Sequence, residues 1–484
     1  MLRRTKIVAT LGPATDDPKV LDEVLAAKVD VVRLSLSHGN HEEHRRRAEV
    51  LRNRAQASGR QVGLMLDLQG PKIRMGAFRA GKVSLQEGQG FSLDADCAER
   101  DGDEHRVGIS FKELPASVSR GDTLILADGL VVLWVEAVEG SRIDCRVVVG
   151  GELRDGQRIR RQGGGIGVAA LTAKDREDIR FAAEIQADYL VVSFVRDAED
   201  VREARSLLRS AGGEGGVIAK IERAEALGAI EEIVEVSDAI LVARRGLGVE
   251  IGDAELPAVQ KRLASLARTM NCVVITGTQM MQSMVDSAVP ARADVFDVAN
   301  AVLDGVDALI LSEETAAGAN ASKAIETVSR ICVGAEKHRD ARVSERRLTA
   351  TFEGVDEAIA MATMYTANHL QVKAIAALTE SGSTVKWMSR VSSGIPIYAL
   401  TPHVATRRKV TLYRGVYPVS FGDVGAESHA LNEEVLDELL RRGAVRDGDR
   451  VILTKGDRAG VKGQTNTMKI IRVGDHPPST GARE

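Results

Sequence analysis

Aromatic residues make up only 3% of this 484-residue chain, which leaves little material for stacking platforms that hold bases or sugars. Cysteines number four (Cys97, Cys145, Cys272 and Cys332), with no CxxC pair and no metal-ligand spacing, so neither a disulfide framework nor a cysteine-built metal centre is indicated. They read as small core or surface residues of a reducing compartment. No apolar run reaches the length of a membrane span, and the one that follows Met1-Leu2-Arg3-Arg4-Thr5-Lys6 stops at Gly12-Pro13, too soon for a signal segment. A cytoplasmic protein is expected, with no membrane partner. Charge of one sign is also missing: the net charge of −4 gives no global drive toward nucleic acid. The cluster Arg45-Arg46-Arg47 reads as a solvated helix face. No low-complexity segment is present beyond a polar tail after Gly474, expected to be disordered. What remains is 44% hydrophobic and 28% charged residues, the balance of a globular protein of two or three domains.

Short apolar, β-branched runs alternate with helical patterns, as in βαβ units with parallel strands. Strands are expected over 6–11, 29–36, 62–68, 188–195, 217–222, 239–244, 272–276 and 308–311. Eight of them would close a (β/α)8 TIM barrel. Between the third and fourth the pattern changes. From Lys72 to about Gly165, β signals punctuated by glycine dominate, such as Gly121-Asp122-Thr123-Leu124-Ile125-Leu126 and the run 131–138. This reads as a β-barrel-like domain inserted through Gly70-Pro71 on one side and Gly163-Gly164-Gly165 on the other. Such joints permit hinge motion, although a plain loop would use the same residues. An insertion after a barrel strand stands at the C-terminal mouth and could act as a lid. A further α/β region follows, with strands over 374–378, 395–399, 416–419 and 451–453. The expected division is 1–70 with 165–346 for the barrel, 71–164 for the lid and 347–484 for a C-terminal α/β regulatory domain.

Barrel strands carry function at their C-terminal ends. In Gly216-Val217-Ile218-Ala219-Lys220-Ile221-Glu222 an ammonium and a carboxylate stand two residues apart, on one face of a strand. Either they pair with each other at the surface, or they meet a ligand. Other strand ends read Ala9-Thr10-Leu11-Gly12-Pro13, Val32-Arg33-Leu34-Ser35-Leu36-Ser37-His38-Gly39 and Leu66-Asp67-Leu68-Gln69-Gly70-Pro71-Lys72-Ile73-Arg74. A barrel would bring Arg33, Ser37, Asp67, Lys72, Arg74, Lys220 and Glu222 to one mouth. Several cations mixed with carboxylates suit an anionic, phosphorylated substrate and a hard cation.

These segments, together with Thr278-Gln279-Met280, Asp297-Val298-Ala299-Asn300-Ala301 and Thr465-Asn466-Thr467, resemble the pyruvate kinase family, in the family's order along nearly the whole chain. The resemblance implies the glycolytic transfer of phosphate from phosphoenolpyruvate to ADP, giving ATP and an enolate that is protonated to pyruvate. It implies a catalytic set of Lys220, which would stabilise the transferring phosphoryl group, with Arg33 and Arg74 on phosphate oxygens. Arg33, Lys220, Arg245, Gly246 and Ala291 fall at the family's substrate positions, Pro13, His38 and Arg74 at its nucleotide positions, and Glu222 at its ligand for Mg2+ or Mn2+. Ser35, Ser37, Asp67 and Lys72 fall at the monovalent-cation site. Many members have glutamate where this chain has Lys72, and those with Leu-Gln-Gly-Pro-Lys are similar to the potassium-independent type. A tethered ammonium would supply the potassium charge, so K+ is not expected to be required. Thr379, Ser381, Gly382, Ser383 and Thr384 resemble the loop for a phosphorylated allosteric effector; a helix N-cap would use the same residue types. A homotetramer is the family's usual assembly.

The chain departs from the family at the metal and substrate site. Ala243-Arg244-Arg245-Gly246-Leu247-Gly248 stands where the family has Ala-Arg-Gly-Asp-Leu-Gly, so the second metal carboxylate is Gly246. Magnesium keeps one or two carboxylates plus water and substrate oxygens, and loss of one weakens such a site without abolishing it. Arg245 replaces a glycine; its guanidinium either holds the anion in the metal's stead or blocks the site. Ala291 replaces a threonine, keeping a backbone N–H at a helix start but no hydroxyl. Gly277 and Gln282 stand for alanine and glutamate, and Glu313 for a small residue, either near a metal or at the rim. Two readings stay open: a working kinase, or a degenerate homologue that binds phosphorylated ligands with little or no catalysis.

Overall fold

Eight parallel strands close a barrel in the computed structural model: Lys6–Thr10, Val31–Ser35, Gly63–Asp67, Tyr189–Val192, Gly216–Ile221, Ala239–Ala243, Val273–Gly277 and Ala308–Leu311. The structure describes residues 2–338, 351–352, 354–422, 428–457 and 463–475; the expected division at 346/347 and most of the tail after Gly474 lie outside them. Each strand was expected from its apolar run; 308–311 is the same in both, and elsewhere the ends differ by at most three residues. The strands are apolar throughout because both faces are covered. One face packs on the surrounding helices through residues such as Val32, Leu66 and Val217. The other fills the barrel with Val31, Met65, Ile218, Leu241 and Ile275.

That interior layer continues into the C-terminal domain, since Met364, Ile375 and Val410 belong to the same apolar cluster. The contacts lie where the strands begin. Tyr189 Oη donates to the Lys409 carbonyl at 2.7 Å, Arg408 Nε meets Asp188 Oδ1 at 2.9 Å, and Arg390 forms a fully buried ion pair with Asp307. The C-terminal domain therefore seals the N-terminal end of the barrel and leaves the opposite mouth open. Its own sheet runs Val416–Ser420, Ile397–Thr401, Ala374–Leu378, Arg450–Gly456 and Thr465–Arg472. The last of these, an antiparallel edge strand, is not among the strands expected from apolar runs: Thr465-Asn466-Thr467-Met468-Lys469 has too few apolar residues to stand out from a loop.

The inserted domain is a six-stranded sheet and a two-stranded ribbon sharing one core that includes Leu85, Phe91, Leu133 and Leu153. Register shifts at Val132/Leu133 and Val135/Ala137 give its longest hairpin the local twist that bulges produce. Its entry is fixed from the barrel side. Thr172 caps the helix Ala173–Glu184 in a reciprocal box with Asp175, and Asp175 also accepts the Gly70 N–H at 3.0 Å. Gly70 has φ +65°, and a Cβ there would stand 2.6 Å from the Phe194 ring, so both backbone and space demand glycine.

Candidate active site

Arg33, Asp67 and Lys220 lie on the inward face of their strands, one layer above Val31, Met65 and Ile218, because residues two apart share a face. Asp67 is the hub. Only 1% exposed, it accepts from Arg33 Nε at 2.8 Å, pairs with Arg33 Nη2 at 2.6 Å and stands 3.4 Å from Lys220 Nζ. Burial alone would raise its carboxyl pKa, but Lys220 and Arg33 hold it below the ordinary value. Lys220 Nζ also donates to Ser193 Oγ at 3.1 Å and lies 3.7 Å from Glu222 Oε1. The two therefore pair with each other, not at the surface but in the wall of a cavity.

That cavity has a volume of about 520 Å³. It is lined by seven cationic side chains, Arg33, Arg47, Lys72, Arg158, Arg160, Lys220 and Arg245, against two carboxylates, Glu222 and Glu313. Pro13, Ser35, Ser37, His38 and Gly246 line it as well. Burial lowers the His38 pKa, with Lys72 and Arg158 adding to it, so an added proton there would join a cationic site. Lys72 makes no hydrogen bond or ion pair through its ammonium among the described residues. Burial, reinforced by Arg158, Lys220 and Arg74, lowers its pKa to about 7.

Not every expected residue reaches the cavity. Arg74 donates to the Gly156 carbonyl at 2.7 Å and is not among the lining residues. Ala291 is exposed, does not line it, and its N–H, expected to be free for a ligand, is taken by Ser283 Oγ at 2.8 Å. Arg47, expected as a solvated face, is partly covered at the rim and pairs with Asp16 at 2.6 Å, because its helix starts directly above the strand Val31–Ser35. Conversely, Arg158, Arg160 and Phe194 line the cavity and were not singled out, and Thr278, noted only as part of a motif, lines it as well. Arg158 and Arg160 sit two apart on the chain's return from the lid. Their two-residue spacing puts them on one face, but a reading confined to barrel strand ends does not reach them.

The departures cluster around Glu222. This carboxylate is 5% exposed; burial opposes its ionisation, while Lys220 and Arg160 lower its pKa below the ordinary value. A Cβ on Gly246 would stand 2.9 Å from Glu222 Oε2 and 3.2 Å from Arg160 Nη2, so an acidic side chain at 246 would meet Glu222 directly. Arg245 instead spans the lid and the barrel: its Nη1 lies 3.2 Å from Glu313 Oε1 and its Nε 3.7 Å from Asp128 Oδ2, while its N–H donates to Thr278 Oγ1 at 3.2 Å.

Family models match "Pyruvate kinase, barrel domain" over residues 2–325 and "Pyruvate kinase, alpha/beta domain" over residues 357–471. The chain belongs to the pyruvate kinase family. It is 49% identical to pyruvate kinase II of Salmonella typhimurium, over 98% of this chain and 99% of that one. It is 46% identical to a pyruvate kinase of Buchnera aphidicola, with the same coverage. The crystal structure of a pyruvate kinase from Cryptosporidium parvum superposes with a TM-score of 0.90 at 31% identity, covering 97% of this chain and 96% of that one.

Pyruvate kinases generally use Mg2+, and the donor set here can be tested against such an ion. Among the described residues no group of three or more His, Cys, Asp or Glu is placed to hold a metal. The one carboxylate at the position, Glu222, already faces Arg160 Nη2 at 3.5 Å and Lys220 Nζ at 3.7 Å. A dication would have to displace a cation from its only protein ligand. These residues do not fit a divalent ion held by the protein itself.

In the C-terminal domain, the loop before the helix Ser383–Ser389 has its hydroxyls engaged. Thr379 Oγ1 accepts the Gly382 N–H at 2.9 Å, Thr384 and Thr465 share a bond of 2.7 Å, and Ser381 donates to Ser383 at 3.3 Å. No helix among the described residues is long and apolar enough to cross a membrane.

Proposed function

We propose that this mouth carries out the family's reaction, moving a phosphoryl group from phosphoenolpyruvate to ADP and releasing pyruvate and ATP. The observation that carries the reading is the buried Arg33–Asp67–Lys220 cluster opening into a cavity with five further cations. Phosphoryl transfer asks a protein mainly for positioning and charge stabilisation. Lys220, fixed by Asp67 and Ser193, offers its ammonium to the transferring phosphoryl oxygens. Arg33, braced on Asp67 and on Thr10 Oγ1 at 3.1 Å, orients them, and Arg245 meets the substrate carboxylate. Pro13 and His38 line the nucleotide side, and Arg74 is retained in this role only through lid movement. Mg2+ or Mn2+, where it enters with the nucleotide, would supply further charge neutralisation; Glu222, already paired with Arg160 and Lys220, is not free to hold it.

Lys72, near Asp67, Ser35 and Ser37, takes the place of a monovalent cation, so potassium is not required. The division into barrel (1–70 and 165–346), lid (71–164) and C-terminal domain (347–484), a phosphorylated effector at Thr379–Thr384, a homotetramer and a cytoplasmic setting belong to the same reading, on the family's pattern.

A second reading, a homologue that binds phosphorylated ligands with little catalysis, draws on Arg245, whose contacts with Glu313 and Asp128 tie the lid across the mouth. A coupled pyruvate-release assay with ADP, phosphoenolpyruvate and Mg2+, without potassium, separates the two. If the parent turns over within about tenfold of Arg245→Gly/Gly246→Asp, the difference is about 1.4 kcal/mol or less of transition-state stabilisation, and the kinase reading stands. A silent parent revived by the double substitution establishes the second.

A further inference from the structure

We propose that Arg160, seated on Glu222 over the space Gly246 leaves open, takes the place of a divalent cation, so that this mouth binds its phosphorylated acid without a metal. The inference rests on the reading that the mouth takes a phosphorylated acid and goes beyond it by assigning the charge that receives the phosphate.

Arg160 is held as a fixed charge. It is 6% exposed, with Nη2 3.5 Å from Glu222 Oε2, Nη1 3.2 Å from Glu250 Oε1 and the guanidinium carbon 5.4 Å from the Phe194 ring centroid. A carboxylate on each side and an aromatic face fix the plane of the group. Its Nε has no hydrogen-bond partner, and an unmet buried donor is costly unless something satisfies it. The seat depends on Gly246. A Cβ there would press on Arg160 Nη2 at 3.2 Å and on Glu222 Oε2 at 2.9 Å together, so glycine at 246 and arginine at 160 are two halves of one arrangement contributed by barrel and lid.

A divalent ion between two carboxylates is neutral overall, as is Arg160 on Glu222 alone; Glu250 on its other side adds one negative charge, and the field that Lys220, Arg33 and Lys72 present to an entering anion keeps its cationic sign. Arg158 adds to it. Its guanidinium lines the cavity and forms no ion pair within 4 Å among the described residues, so an entering anion is its available partner. A guanidinium also offers paired donors that match phosphate geometry, which a hydrated ion does not.

The test is calorimetric titration of phosphoenolpyruvate into the full-length protein, once in EDTA and once in excess Mg2+, without nucleotide. The dissociation constant is expected to agree within about threefold between the two conditions, a difference of well under 1.4 kcal/mol. Arg160→Met is expected to weaken metal-free binding by about tenfold or more, the scale of a lost charge-assisted hydrogen bond, with Arg160→Lys in between. Gly246→Asp is expected to make binding weak in EDTA and to bring in a bound Mn2+ signal by electron paramagnetic resonance that the parent lacks. Binding by the parent that falls tenfold or more in EDTA, or a stoichiometric Mn2+ signal in the parent, overturns the inference and leaves the proposed function standing. No binding in either condition overturns both.

Discussion

Binding of a phosphorylated anion at this mouth is expected to draw a proton onto Lys72. In the free protein its pKa is lowered to about 7, first by burial and then by Arg158, Lys220 and Arg74. A phosphate oxygen about 4 Å from an ammonium interacts by about 4 kcal/mol per unit charge at an effective dielectric constant of about 20, or roughly three pKa units. That shift returns Lys72 to the ordinary lysine range. The sign follows from linkage: the bound state holds the proton more tightly, so binding takes up protons wherever the free lysine is neutral, and affinity falls as pH rises through about 7. At pH about 8.5 only about 3% of the free lysines carry a proton, so uptake approaches one per site; at pH about 6 it is near zero. The same depression makes the unfolded chain the better proton binder between about 7 and the ordinary value, so this group's cost to the folded state is relieved as pH rises through that window. Titration of phosphoenolpyruvate in two buffers of different ionisation enthalpy reads the uptake directly. Phosphate has its own ionisation near pH 6, so the comparison is with Lys72→Met, in which uptake at pH about 8.5 should vanish. No uptake in the parent at that pH, or equal uptake in Lys72→Met, would refute the reasoning.

Lys72→Glu should create a potassium requirement, seen as activity or substrate affinity that rises with added K+; an active variant indifferent to potassium removes the role given to Lys72. Arg390→Met leaves Asp307 buried without its cation, a change that costs about 3–5 kcal/mol and should lower the urea midpoint of the unfolding step that includes the barrel floor. Gly277→Ala would put a Cβ against Ile310 Cγ2 and 2.6 Å from the Ile310 carbonyl oxygen; overpacking between adjacent barrel strands should cost about 1–3 kcal/mol, measured as a loss in thermal midpoint.

The barrel was legible because a parallel strand buried on both faces is written as a continuous apolar run, and each of the eight runs ends where a polar side chain must face the mouth. Asp67, Lys220 and Glu222 could be placed from that rule alone. Thr465–Arg472 could not, since an edge strand with one solvated face alternates polar and apolar residues as a loop can. Arg74 was placed with the mouth as part of the segment Leu66–Arg74 that ends the third strand. The chain leaves the barrel at Gly70, however, and beyond that turn the face shared along a strand no longer applies. Arg158 and Arg160 were missed for the converse reason: they belong to the lid by sequence and to the active site by position. A domain that returns to the barrel beside its own exit contributes residues that no reading of barrel strand ends will find.

This placement bears on how the departures relate to one another. Gly246 and Arg245 follow the barrel strand Ala239–Ala243, Glu313 follows Ala308–Leu311, and Arg160 lies in the returning lid strand Ile159–Arg161. An isolated loss of the carboxylate at 246 would leave Glu222 no more strained than before, with Lys220 3.7 Å away as its cation. Lys220 is shared between Glu222 and Asp67, and Asp67 also holds Arg33. Arg160 joins this network between Glu222 and Glu250, giving three cations on three carboxylates, and Glu313 pairs with Arg245. Buried charges persist where each is paired, and every carboxylate around this cavity has a guanidinium or ammonium within 4 Å. What is left without a counter-charge is cationic: Lys72 and Arg158, side by side in the electrostatics of the site. A mouth whose acids are all matched and whose surplus is two half-buried cations is arranged to receive an anion.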